Sequence, residues 1–321
     1  MGIRDWGRLA ALCAVLGGIC VLSSPAAAAP ERAVDQDKGL VLRGDKRCTE
    51  CHDESDSPEQ LAIGKTKHGT VADKRTPSCV SCHGESERHV KEAGRGSGPT
   101  PPVDVGFSRK NPATAEARDA ACLACHQGST RIFWQNSTHS RRDVTCTSCH
   151  KIHDGHDKVR QVSTQPEVCM SCHKEQRAQF ARPTHHPVPE GAMACSSCHN
   201  VHGDNPSQLV KASVNETCFT CHMEKRGPFV HNHQPVAEDC SICHNVHGTN
   251  IPNLLKARPP YLCQECHSHE SHPGQLAGLP TGATTNTALL GTVGRGCANC
   301  HVNIHGGNST INNATAGRFR R

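Results

Sequence analysis

Residues 240–247 read Cys-Ser-Ile-Cys-His-Asn-Val-His. Two cysteines three positions apart, with a histidine directly after the second, form the pattern through which c-type haem is attached. The spacing has a chemical reason. The two thiols add across the two vinyl groups of one haem, and the adjacent histidine then lies under the ring as the proximal iron ligand. The stretch also ends on a second imidazole, His247, three residues beyond His244. Three residues span at most about 11 Å, and two imidazoles trans on one iron hold their main chains farther apart than that. His247 is therefore expected to serve a neighbouring haem and not its own.

The same pattern occurs ten times. Its cysteines are Cys48 and Cys51, Cys79 and Cys82, Cys122 and Cys125, Cys146 and Cys149, Cys169 and Cys172, Cys195 and Cys198, Cys218 and Cys221, Cys240 and Cys243, Cys263 and Cys266, and Cys297 and Cys300. The histidines that follow are His52, His83, His126, His150, His173, His199, His222, His244, His267 and His301. A zinc ribbon has no need of a His after every second Cys. A thioredoxin-like motif would appear once, and a disulfide framework would not repeat one spacing throughout. Ten covalently attached haem c groups, each with iron, are expected.

Composition agrees. The chain has 321 residues, of which 22 are Cys, 24 are His and only nine are Phe, Trp or Tyr. Its mean hydropathy is −0.56. Such a chain cannot fill a large apolar core by itself, which excludes an ordinary doubly wound α/β enzyme or a large β-sandwich; bulky cofactors must supply the interior. The expected fold is a multihaem cytochrome c: short α-helices and loops wrapped around an elongated chain of ten haems, with little or no sheet. Haem attachment and folding are expected to be one event. The formal charge of +5 is interspersed, with no basic stripe and few aromatics to stack bases, so nucleic acid is not an expected partner. Two propionates per haem should make the loaded protein acidic.

Residues 1–29 read as a signal peptide. Arg4 and Arg8 precede an apolar run, Leu9 to Leu22, and Ala26 to Ala29 offer the cleavage site. The run is short for a membrane anchor. Cleavage removes Cys13 and Cys20, so every cysteine left belongs to an attachment site. An exported chain is expected, with a decahaem domain over 30–305 and a mobile tail over 306–321.

Fourteen histidines remain beside the ten proximal ones. Methionine, the other common haem ligand, is nearly absent and badly placed. Ten second ligands are therefore read as His68, His89, His139, His153, His186, His202, His233, His247, His272 and His305, with His156, His185, His231 and His269 in surplus. His153, His202 and His247 each stand three residues after a proximal His. The choice of His186 over His185, and of His233 over His231, keeps a similar offset to the next cysteine. An internal repeat underlies this count. An upstream His, a site with a His three beyond it, then a plain site recur at about 139–183, 186–230 and 233–272. Each unit brings two haems and two candidate second ligands, which suggests a self-sufficient module. Residues 93–113 and 274–296 read as loops and 114–126 as a helix.

With two His on each iron no position stays open for a substrate. The reading is an electron-transfer protein and not an enzyme, with electrons hopping between packed bis-His haems. A multihaem oxyanion reductase would want a Lys in place of one proximal His or a missing second ligand. A freely diffusing periplasmic shuttle is the other alternative.

Several stretches carry a family likeness: Ser213-Val214-Asn215-Glu216-Thr217-Cys218, Cys221-His222-Met223-Glu224-Lys225-Arg226-Gly227-Pro228, Cys243-His244-Asn245-Val246-His247-Gly248 and Cys300-His301-Val302-Asn303-Ile304-His305-Gly306. Through them residues 45–306 resemble the periplasmic decahaem cytochromes of porin–cytochrome conduits, the MtrA/DmsE/PioA type. The resemblance implies a periplasmic location at the outer membrane and a haem row partly inside an outer-membrane β-barrel porin. It also implies a periplasmic or inner-membrane cytochrome as donor or acceptor, and beyond the barrel an extracellular multihaem cytochrome or reductase. Direction of flow and terminal acceptor are not written in these motifs.

Overall fold

The protein is described from a computed structural model, which covers residues 45–70, 75–95, 98–110, 112–203, 205–267 and 297–309. The signal peptide, His269, His272, the loop at 274–296 and residues 310–321 lie outside the described residues.

The described residues form short helices, turns and loops without a strand; four isolated bridges, such as His199 with Leu209 and His244 with Leu255, are their only β pairing. The longest helix among the described residues is Ala115–Leu123, within the segment expected to be helical. Most helices coincide with attachment sites, as in Cys79–His83, Cys146–Cys149, Val214–Cys218 and Cys297–Cys300. The motif dictates this. One helical turn carries the chain from the first cysteine to the histidine, and each proximal N–H outside Cys79–His83 donates to the carbonyl of its first cysteine at 2.9–3.1 Å. Positions three and four apart share a face, so both sulfurs and the imidazole leave the main chain on one side.

The polypeptide supplies little core. Among the described residues only Trp134, Phe180, Val188 and Ala194 are buried apolar side chains. The most deeply buried side chains are instead small and polar: Thr145, Asp45 and Ser137. Asp45 and Thr145 lie at joints between consecutive sites. Asp45 accepts from Cys79 N at 2.6 Å, Asp119 from Cys146 N at 2.9 Å, Gln165 from Ser196 N at 2.9 Å and Asn215 from Cys240 N at 2.7 Å. In each joint, a residue just before one attachment site caps the unsatisfied N–H groups that open the next helical turn. First cysteines come together in pairs, four of them at these joints: Cys48 with Cys79, Cys122 with Cys146, Cys169 with Cys195 and Cys218 with Cys240, and beyond them Cys263 with Cys297.

One boundary differs from expectation. The expected tail begins at 306, yet residues 306–309 hydrogen-bond to the chain around His231. His231 and Gly307 exchange both main-chain hydrogen bonds, Val230 N donates to Asn308 Oδ1 at 2.9 Å, and the His231 ring meets Ser309 O at 3.0 Å. The pairing gives those main-chain groups the partners a free tail would leave to water.

Candidate haem sites

The helical turns present the proximal histidines, and the chain between them brings a second imidazole to nine of them. Nine pairs lie among the described residues: His52 with His89, His68 with His126, His83 with His153, His139 with His173, His150 with His202, His186 with His222, His199 with His247, His233 with His267 and His244 with His305. Every pair joins one proximal histidine to one of the histidines chosen from the sequence as a second ligand. Ring centres are 5.9–6.3 Å apart in all nine. Two imidazoles trans on one metal, each nitrogen about 2 Å from the ion, hold their ring centres about 6 Å apart. His301, the tenth proximal histidine, is described, but His272 is not.

The surplus histidines have other company. His156 meets the Gln161 amide at 3.3 Å, His185 bonds Glu190 at 2.9 Å, and His231 is held by Ser309.

The unit suggested by the repeat is complete in number but not in pairing. Its upstream histidine pairs within the unit, as His139 with His173, His186 with His222 and His233 with His267. Its other histidine reaches back one unit: His153 to His83, His202 to His150, His247 to His199, and His305 to His244. The module is therefore interlocked and not self-sufficient. The cause is the short tether already noted, which prevents a histidine three residues on from turning back over its own site.

Hydrogen bonds fix which ring nitrogen faces inward. The Nδ1 atoms of His83, His199 and His244 lie 2.9–3.0 Å from the carbonyls of Val105, Ser207 and Asn253, and that of His52 lies 3.0 Å from Ser57 Oγ. On the opposite ligands His89, His153, His139 and His186 meet the carbonyls of Pro101, Gln60, Val201 and Val246. A carbonyl only accepts, so Nδ1 carries the proton and Nε2 keeps its lone pair for a metal. Burial first, and then the second imidazole beside each, holds His68, His202, His233 and His247 below the ordinary imidazole pKa, so each stays neutral and able to ligate.

These residues fit haem. Two imidazoles per site would hold the iron of a haem, and the described cysteines stand beside the proximal histidines with none in a disulfide. The buried Nε atoms of Arg118 and Arg131 have no hydrogen-bond partner among the described residues. A propionate would supply one.

The family described as doubled CXXCH motif matches residues 185–227 and 233–272. The cytochrome c-type protein NrfB-like family matches residues 79–165. A multiheme cytochrome MtrA from Shewanella baltica (strain OS185) is 39% identical over 272 residues, 83% of this chain and 79% of its own. The chain belongs to the MtrA family of multihaem c-type cytochromes. Its cofactor is covalently bound haem c, about ten groups on the count of its motifs, and it is an electron-transfer protein, not an enzyme. A more distant relative, the cytochrome c-type protein NrfB of Escherichia coli O6:H1, is 29% identical over 140 residues, covering 41% of this chain and 67% of the relative.

The sequence did not mark the capping residues Asp45, Asp119, Gln165 and Asn215. Their signal was available: a short polar side chain three or four residues before a first cysteine, in alternate sites.

Proposed function

We propose that this chain is an exported, periplasmic decahaem conduit that carries electrons between periplasmic redox partners and the cell surface through an outer-membrane porin. The nine histidine pairs carry this reading. Each is read as the two axial ligands of one iron, with His301 and His272 as the tenth. When bound, each haem supplies a one-electron carrier.

The chain's own residues do the rest. Paired cysteines anchor each ring, and the Nδ1 hydrogen bonds hold both imidazoles in one tautomer. The polar joints set sites together two by two along the sequence. Because the ligands interlock across units, consecutive sites are held as one run, which suits transfer over a distance longer than one haem pair. The signal peptide over 1–29, with release near Ala28 or Ala29, supports export. The MtrA relationship supports a barrel partner, a cytochrome donor or acceptor on the periplasmic side, and an extracellular multihaem cytochrome or reductase beyond it.

The test is made on outer membranes of the native host. The washed membrane is solubilised in mild detergent, this chain is purified, and its co-eluting bands are identified. Elution with a large β-barrel is expected. Recovery only in the soluble periplasmic fraction, without a barrel, overturns the conduit and leaves the diffusing shuttle.

A further inference from the structure

The site built on Cys146 and His150 differs from its repeats at two points. His150 Nδ1 hydrogen-bonds to a carboxylate, Asp157 Oδ2, at 2.7 Å. The corresponding nitrogens of His83, His199 and His244 meet main-chain carbonyls, and that of His52 a hydroxyl. His222 has Glu224 at 3.8 Å, too long for a hydrogen bond, with both side chains exposed. Asp157 is well sheltered, its side chain 14% exposed, and its second oxygen faces Lys151 N at 3.3 Å. In the later repeats the chain returns a carbonyl to the proximal imidazole through the left-handed turn residues Ser207 and Asn253. After His150 the loop runs differently and offers a side chain instead.

The second difference lies at the other end of the same helical turn. Asp119, 8% exposed, accepts from Cys146 N at 2.9 Å and from Trp134 Nε1 at 2.6 Å. The Trp134 ring packs 5.9 Å from His202, the partner of His150. In the two later joints this cap is an uncharged amide, Gln165 or Asn215. Asp45 caps Cys79, but His83 has no carboxylate on Nδ1. Of the sites at Cys48, Cys79, Cys146, Cys195 and Cys240, only that of Cys146 therefore carries a carboxylate both on its first cysteine and on its proximal imidazole.

We infer that Asp157 and Asp119 make the Cys146–His150 haem the lowest-potential station of the described run. With haem bound, reduction there would take one electron from a neighbouring haem, and the Nδ1 proton would remain on His150. A fixed negative charge within hydrogen-bonding reach opposes that added electron. A carboxylate on Nδ1 also makes the imidazole a stronger donor, which favours the oxidised iron. Two cations act the other way. Arg131 is felt at His202, and Lys151 lies beside Cys149. Neither hydrogen-bonds to a ligand of this site, and Lys151 is exposed to solvent and screened. Electrons crossing the run thus meet a step between the three sites before Cys146 and those after it. Asp157 and Asp119 are positioning residues for the transfer, acting through His150 and Cys146.

The inference rests on His150 and His202 serving one iron. The test is a mediated redox titration of the full haem-loaded chain, followed optically and by paramagnetic resonance. Asp157→Asn should move the lowest-potential component upward, so that at its native midpoint the reduced-to-oxidised ratio rises several-fold. Asp157→Glu should restore it, and Asp119→Asn should move the same component the same way. Ser57→Asp, which builds the same contact on His52, should drive that site down. A titration of Asp157→Asn that superimposes on the native curve, with every haem attached and low-spin, overturns the inference; so does movement of a high-potential component, or Ser57→Asp without effect. A high-spin haem in the native chain would instead sink the two-histidine reading of this site.

Discussion

His153 lies 6.2 Å, ring centre to ring centre, from His83, far upstream, although it follows His150 by only three residues. Its Nδ1 is held by the Gln60 carbonyl at 2.7 Å, earlier still in the chain. The ligand thus fastens the second repeat to the first. His153→Ala is expected to leave the haem at Cys79 five-coordinate while the haem at Cys146, whose proximal His150 stands three residues away, keeps both ligands. One haem equivalent should turn high-spin and bind carbon monoxide. If instead the Cys146 site opens, the reach-back assignment is wrong.

Gly248 follows His247 at φ 146°, and a Cβ there would meet the Gln179 carbonyl directly. Gly306 repeats the arrangement after His305, against the Phe229 ring. Both the left-handed backbone and the close approach call for glycine. Gly248→Ala should push the turn that carries His247 away from its partner His199. The lesion is expected as a weakened ligand at the Cys195 haem, read as partial high-spin character, and not at the Cys240 haem whose motif lies beside it. Equal loss at both sites would point to general unfolding.

Much of this was legible in the sequence because covalent attachment imposes a fixed local pattern. The ten motifs name every proximal histidine, and the scarcity of methionine leaves histidine as the second ligand. The tether of three residues excluded His247 from its own iron. What the sequence left open is which site each second ligand reaches. His68 pairs forward with His126, past the proximal His83 that is nearer in sequence, and His89 pairs back with His52. That choice depends on how loops pack, which local spacing does not encode. The polar joints were hidden for a related reason: Asp119 and Asn215 look like ordinary helix residues until the next site folds against them.

Asn215 tests how much one joint contributes. It is 7% exposed; its amide donates to Val236 O at 2.9 Å and Ala237 O at 3.1 Å, and its oxygen accepts from Cys240 N. Asn215→Ala leaves three part-buried main-chain groups without that partner. A cost of about 3 kcal/mol is expected from the stranded groups. The measurement is the guanidinium midpoint of the haem-loaded protein, with Glu216→Ala, which changes an exposed side chain one residue on, as the control that stays near native. Equal midpoints for the two variants would show that the joint contributes little.

His185 separates ligand from bystander. It adjoins His186, but its ring is engaged by Glu190 and by the Arg182 carbonyl. The Glu190 hydrogen bond, and next the carbonyl, raise its pKa above the usual 6.5. His185→Ala should leave every haem low-spin, whereas His186→Ala should open the haem at Cys218. Its effect on stability should depend on pH with a definite sign. A histidine whose pKa is raised by folding contributes fully below its unfolded value, about 6.5. That contribution fades as pH rises through the raised value. The difference between native and His185→Ala midpoints is therefore expected to be larger at pH 5.5 than at pH 8.5. A difference that grows with pH would mean that His185 acts as a neutral group, and a high-spin signal in His185→Ala would make it the ligand after all.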